Sequence, residues 1–505
     1  YKRQLLDQQL QDELQALVQN RHYTPEYAVS RTLRRFAKVF QNLENEYMAE
    51  RAHDILDIEK RLLSDLLGRQ REELSHLTSP VIVLAHDLTP SETANLDPRF
   101  VRAFVSETGG PGGHTAIVAE ALEIPAVVGG GTFLDEVSGG DLVIVDGDQG
   151  CVIVRPDEDT ITQYQRAAQQ NRHQAVQLES LRNLPAETID GQRITLCANI
   201  EFPREVEACV ARGADGIGLY RTEFLYLGAD HEPTEEDHYN AYLQVVNAME
   251  GKPVVIRTLD LGADKMGRSD AVEPEKNPFL GLRSIRLSLR NLPLFRTQLR
   301  AVLRASVAGD VRVMFPLIST LQELRHAKSV ITDIMEDLEE EELPFNREIP
   351  IGMMVEVPAA AVLVDRFARE VDFLSIGTND LIQYTLAVDR SNKDVATLYN
   401  AADPAILQMV QQIAAAAEHE SISATLCGQM SAHPAYTMVL LGLGLRSLSV
   451  PPVAIPEIKN VCRQVSIEQC RQVAERALSF QTEIEVTSYL KQELSRVLRN
   501  PAIHD

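Results

Sequence analysis

Glu356 and Asp380 follow two short apolar runs, IGMMVEV and VDFLSIGTND, and a third such run, ISATLCGQM, leads to Cys427. Two carboxylates on neighbouring strand ends are hard oxygen ligands suited to Mg2+, which keeps waters and shares its shell with a phosphorylated substrate. Arginines fall at comparable places: Arg221, Arg257 and Arg283, with Arg390 just beyond the GTND segment that also holds Asn379. Guanidinium groups gathered there would clamp a small polyanion bearing carboxylate and phosphate. Lys265, in DLGADK, would add a point charge. Each residue alone also has a structural reading, a salt bridge for the charged groups and packing for the thiol. Cys427, beside Gly428 at a strand end, could instead supply a proton. The joint placement of metal-type carboxylates and cationic clamps favours the chemical reading of the set.

The elements that must position these residues can be counted from Ile194 onward: ITLCANI, DGIGLYRTE, PVVIRTLD, VRVMFPLI, IGMMVEV, DFLSIGTND, ISATLCG and RSLSVPP. Eight apolar runs rich in β-branched residues, separated by helix-favouring sequence, predict a (β/α)8 barrel of TIM type. In such a barrel chemistry sits at the C-terminal strand ends. Arg221 closes the second run, Arg257 the third, Glu356 the fifth, Asn379 and Asp380 the sixth and Cys427 the seventh.

A chain of 505 residues is too long for one core, so an α/β multidomain protein is expected. Residues 1–75 have helical spacing and almost no glycine; Thr24 and Pro25 suit the cap and first position of a helix. The chain opens at Tyr1 in the middle of helical sequence, which reads as a fragment of a longer protein. Residues 76–156 alternate short β runs with glycine and predict a compact α/β domain. There GGPGGHTAIVAEALEIP joins a glycine loop to a helix, placing His114 at the helix N-terminus, where free N–H groups and the dipole favour an anion such as a phosphoryl group. A capping or buried histidine is the structural alternative. Residues 157–185 read as a helical linker and residues 186–505 as the barrel domain.

The net charge of −24 argues against nucleic acid as main ligand, since a phosphate backbone demands a basic face. No apolar run reaches the roughly 20 residues of a membrane span. Six cysteines without CxxC spacing read as reduced thiols, hence a cytoplasmic setting.

In NEYMAERAHDILDI, DLTPSE, HTAIVAEALEIPAVVG, GADGIGLYRTEFLYL, NPFLGLRSIR, VMFPLI, VEVPAA, SIGTNDLIQYTLAVDR and LCG, taken in order, the sequence resembles enzyme I of the phosphoenolpyruvate-dependent sugar phosphotransferase system. The resemblance implies that phosphoenolpyruvate binds in the barrel with Mg2+ and phosphorylates His114 on a swivelling α/β domain. The phosphoryl group then passes to a histidine of HPr, or of an HPr-like carrier, docked on the helical domain. It further implies Glu356 and Asp380 as Mg2+ ligands, with Arg221, Arg257, Arg283, Asn379 and Arg390 holding substrate. Cys427 becomes the general acid, and a homodimer forms through the barrel. The family's opening strand and first helices are absent from the chain, and with them part of the expected carrier-docking surface.

The sequence departs from the family in three places, at four residues. Gly112-Gly113 replace the usual Thr-Ser before His114, Glu120 replaces an arginine after Ala119, and Gln429 replaces a glutamate after Cys427-Gly428. They motivate an alternative, a regulatory paralogue that binds phosphoenolpyruvate without efficient transfer. A dikinase or phosphoenolpyruvate synthase relative is the other alternative, but the helical sequence before the His114 domain has no glycine-rich phosphate loop.

Overall fold

The computed structural model describes residues 14, 17–19, 21, 23–41, 62–63, 77, 79–88, 96–97, 99–109, 119, 124–226, 231–262, 277–390, 392 and 394–499. The chain divides into two compact units, residues 1–161 and 162–505.

In the first unit the helix Pro25–Gln41 starts where the Thr-Pro pair predicts: Thr24 Oγ1 accepts the Tyr27 N–H at 3.4 Å. Ala28, Val29, Thr32 and Leu33, at helical spacing, are its buried stripe. Strands β1 (Val81–Ala85), β2 (Val101–Ser106) and β3 (Ala126–Val127) form a parallel sheet in that order. Strands β4 (Val143–Asp146) and β5 (Cys151–Val154) pair as an antiparallel hairpin. Leu88, Leu96, Val101, Phe104, Ala119 and Ile124 make the core of this part. A helix, Glu158–Ser180, runs across the division between the units.

The second unit is a closed barrel of eight parallel strands. They are β6 (Thr195–Ile200), β7 (Ile217–Tyr220), β8 (Val254–Arg257), β9 (Val311–Phe315), β10 (Ile351–Val355), β11 (Phe373–Ile376), β12 (Ser423–Leu426) and β13 (Ser447–Val450). Each pairs with the next in sequence, and β13 closes on β6. Helices cover the outside, so most strand residues are buried on both faces, which is why the runs read as continuous apolar sequence rather than as alternation.

Leu219, Val255, Met314, Met354 and Phe373 cluster with Cys427 as one packed layer. The Phe373 ring needs the hydrogen of Gly352: a Cβ there would lie 2.4 Å from it. The outer core, from Ile194 to Val497, packs helices on the barrel wall. Local signals start those helices at defined places. Thr320 Oγ1 accepts the Glu323 N–H at 3.2 Å while the Glu323 carboxylate accepts the Thr320 N–H at 2.9 Å, fixing the start of Leu321–Glu340. Strand lengths and helix starts together bring eight strand ends to one rim.

Candidate active site at the barrel mouth

Arg257 is the last residue of β8, and its carboxylate partners come from loops on either side. Its Nη2 donates to Glu223 Oε1 at 3.0 Å and its Nη1 pairs with Asp260 Oδ2 at 2.8 Å. Arg283, brought over by the chain after β8, gives Nη2 to Asp260 Oδ1 at 3.0 Å and lies 3.6 Å from Asp380 Oδ2. Glu356, one residue past β10, is 2% exposed and accepts the Leu317 N–H from the β9 loop at 2.6 Å. Asp380 lies in the first turn of Thr378–Leu386, the helix that follows β11. Oxygens of Asp260, Glu356 and Asp380 lie within 4.8 Å of one another.

Charge counting gives this cluster a purpose. Four carboxyl groups, Glu223, Asp260, Glu356 and Asp380, face two guanidinium groups, Arg257 and Arg283, and no side chain among the six is more than 12% exposed. With all four ionised, two negative charges would be left over, the charge of one divalent cation. Burial, then the charges of Asp380 and Asp260, push the Glu356 carboxyl well above its ordinary range, and burial raises Glu223. Asp260 is the exception: burial works against its charge, but Arg257 and Arg283 more than offset it and hold the group at about 2.

Asp380 Oδ1 is buried with no hydrogen-bond partner among the described residues. An orphaned carboxylate oxygen beside two further oxygen donors fits a hard cation. Both oxygens of Asp260 already serve arginines. It could offer a cation only charge and its remaining lone pairs, which leaves Glu356 and Asp380 with the freer oxygens.

Cys427 follows β12 and is 3% exposed. Ser375 Oγ donates to its Sγ at 3.2 Å, and the thiol points to Ile376 O at 3.5 Å. Burial pushes the thiol up, so it is protonated at neutral pH: a proton donor rather than a nucleophile. Gly428 permits this placement, because a Cβ there would stand 1.8 Å from Thr378 Oγ1.

The other expected substrate ligands sit at the same rim or on its loops. Arg221, directly after β7, meets Glu201 at 2.5 Å, and both side chains are about one-third exposed. Asn379 Oδ1 accepts the Gln429 N–H at 2.9 Å, tying the β11 and β12 loops together. This bond uses the backbone of Gln429 and does not depend on its side chain. Tyr399 donates to Asn379 O at 3.1 Å and bonds the Arg390 side chain, while the Arg390 N–H donates to Gln383 Oε1 at 3.2 Å. His114 and Lys265, with Gly112, Gly113 and Glu120, lie outside the described residues.

Two members of the cluster were not picked out from sequence. Asp260 stands three residues after Arg257 and Glu223 two after Arg221, and no spacing rule marks either. Their role comes from convergence across the barrel: Asp260 meets Arg283, 23 residues on, and lies beside Asp380, 120 residues on.

Among known proteins, the model for the PEP-binding domain of PEP-utilising enzymes matches residues 175–467. The models for the mobile domain and the N-terminal region of the same enzymes match residues 77–150 and 1–51. The chain is 44% identical over 489 residues to the phosphoenolpyruvate-protein phosphotransferase of a Bacillus species (strain S), covering 97% of this chain and 85% of that protein. Its counterpart in Geobacillus stearothermophilus gives the same identity and coverage. A solution structure of an enzyme I protein is 41% identical, covers 33% of this chain and 67% of its own, and superposes with a TM-score of 0.26. Three domain models in the expected order and relatives matched over nearly the full chain lead to one conclusion: the chain belongs to the phosphoenolpyruvate-protein phosphotransferase family, enzyme I.

Proposed function

We propose that the chain takes the phosphoryl group of phosphoenolpyruvate onto His114 and passes it to a histidine of HPr or an HPr-like phosphocarrier. The observation that carries the barrel's part is the buried cluster of Asp260, Glu356 and Asp380 beside Arg257 and Arg283, short of positive charge by two. Glu356 and Asp380, with Asp260 behind them, would hold Mg2+. When bound, the ion supplies positive charge to the phosphoryl and enolate oxygens.

The protein's own groups account for the rest. Arg257, Arg283 and Arg221, with Asn379, Arg390 and Lys265, hold the substrate carboxylate and phosphate. To use Arg221, the substrate displaces it from Glu201, a partly exposed pair that water screens. A neutral imidazole nitrogen of His114 attacks phosphorus. The N–P bond forms, the bond from phosphorus to the enol oxygen breaks, and its electron pair stays on that oxygen as the enolate. The arginines spread this charge. The enolate carbon C3 takes the Cys427 S–H proton to give pyruvate, and the thiolate regains a proton from water.

The same reading gives a homodimer formed through the barrel domain and a cytoplasmic setting. Among the described residues no helix is long and apolar enough to cross a membrane.

Mixing the protein with substoichiometric phosphoenolpyruvate tests the assignment. One pyruvate per phosphoenolpyruvate is expected with Mg2+ and none with a chelator. Binding of phosphoenolpyruvate without pyruvate would instead favour the regulatory reading that Gly112, Gly113, Glu120 and Gln429 motivate.

A further inference from the structure

Behind the rim lies a chain of buried polar groups to which the reaction above gives no part. Gln298 sits at mid-length on the helix Leu292–Ala305 and, like His238 and Tyr242, is 0% exposed. Its Oε1 accepts the Leu259 N–H at 2.9 Å, and its Nε2 lies 3.0 Å from Thr222 Oγ1 and 3.1 Å from Tyr242 Oη. Thr222 Oγ1 in turn donates to Arg257 O at 3.0 Å. Tyr242 Oη is 2.8 Å from His238 Nδ1, and His238 Nε2 is 3.1 Å from Tyr226 Oη.

Group chemistry fixes the direction of the links around Gln298. A backbone N–H must meet an acceptor, so the Gln298 oxygen faces Leu259 and both amide protons go to the hydroxyls of Thr222 and Tyr242. Thr222, accepting one, is free to donate to Arg257 O. Tyr242, accepting the other and fully buried, has its own proton for His238 Nδ1; in that tautomer the His238 proton sits on Nε2, facing Tyr226. Burial holds His238 down at about 4, so the ring is neutral near pH 7, as this arrangement requires.

Its two ends nearest the rim grip backbone rather than side chains. One holds the carbonyl of Arg257 through Thr222, the other the N–H of Leu259 directly. Flanking those atoms are Arg257 and Asp260, and on either side of Thr222 lie Arg221 and Glu223. We propose that Gln298 is a positioning residue for the barrel-mouth reaction: it sets the loops after β7 and β8 so that the arginine clamp and Asp260 meet the substrate and cation. The proposal rests on the functional reading given above.

Binding measured without turnover tests it. Mn2+ binding is followed by electron paramagnetic resonance and phosphoenolpyruvate binding by calorimetry, on native protein, Gln298→Met and Tyr242→Phe, well below each melting temperature. Gln298→Met removes the grip on Leu259 and the bond that holds Thr222, and is expected to weaken both ligands about 10- to 100-fold, the usual cost of losing a partner behind a binding group. Tyr242→Phe removes only the contact leading away from the loops. It is expected to lower the melting temperature yet keep both affinities. Unchanged affinities in Gln298→Met, or equal losses in the two variants, would overturn the proposal.

Should Gln298→Met fail to fold, Thr222→Val cuts the single arm to Arg257 O, and unchanged phosphoenolpyruvate affinity there would overturn it as well. A native chain that binds Mn2+ but not phosphoenolpyruvate would sink the functional reading alone, because the Mn2+ comparison still decides the role of Gln298. Binding of neither ligand would sink both.

Discussion

Glu356→Gln is expected to cut phosphoryl transfer by about two to three orders of magnitude while leaving the fold intact. The amide keeps an oxygen for the Leu317 N–H, the one backbone contact that fixes this side chain. What it removes is one charge from a cluster whose excess of two carboxylates matches a divalent ion. Loss of one preorganised electrostatic group at a water-poor site costs about 10²–10³ in rate, or about 3–4 kcal/mol. The loss should appear together with a higher Mg2+ requirement. The melting temperature of the metal-free variant should equal or exceed that of the native protein, because the substitution removes a buried carboxyl that burial and two like charges disfavour as an anion. Pyruvate release against Mg2+ concentration, with a thermal melt, checks both. A variant with native rate and native Mg2+ dependence would show that the cluster is a structural ion-pair network.

Cys427→Ala separates the two halves of the reaction. Phosphorus is transferred before carbon is protonated, so the variant should still bind phosphoenolpyruvate, but the enolate must then wait for water. A positioned proton donor contributes about 10²–10⁴-fold, which is the expected loss in pyruvate formation. The thiol suits this task because burial keeps it protonated and Ser375 is placed to donate to the sulfur, which steadies the thiolate after the proton has left. A direct check uses pyruvate, Mg2+ and D2O: native protein should exchange the methyl protons, and the alanine variant should not. Exchange at the native rate in the variant would move the acid elsewhere, and the Cys427 layer with Met354 and Phe373 would then be packing alone.

Much of the barrel was legible because a parallel strand covered on both faces leaves an unbroken apolar run. All eight runs read from sequence are barrel strands, and Glu356, Asp380, Arg257 and Cys427 stand at their C-terminal ends, where chemistry was expected. Asp260 and Glu223 were not legible, because what joins them to the cluster is contact with residues far off in sequence. Gln298 did leave a trace. It falls among Leu294, Phe295, Leu299 and Val302, at the spacing of a buried helical stripe, and a polar residue on such a stripe must find its partners inside the protein. The placement of Arg283 depends on how the segment after β8 folds back, which the bridge between Gly262 and Arg283 shows and no local pattern foretells. His114 and Lys265 fall outside the described residues, so the expectations for both rest on the sequence.

The central claim is that a phosphoryl group moves from phosphoenolpyruvate to His114. Native protein incubated with phosphoenolpyruvate labelled at phosphorus, with Mg2+ and without ATP, then fragmented under alkaline conditions, gives the most direct answer. The account predicts one label per chain, stable in base and lost in acid, on the peptide that contains His114. Absence of label despite phosphoenolpyruvate binding, or label on any other residue, would contradict it.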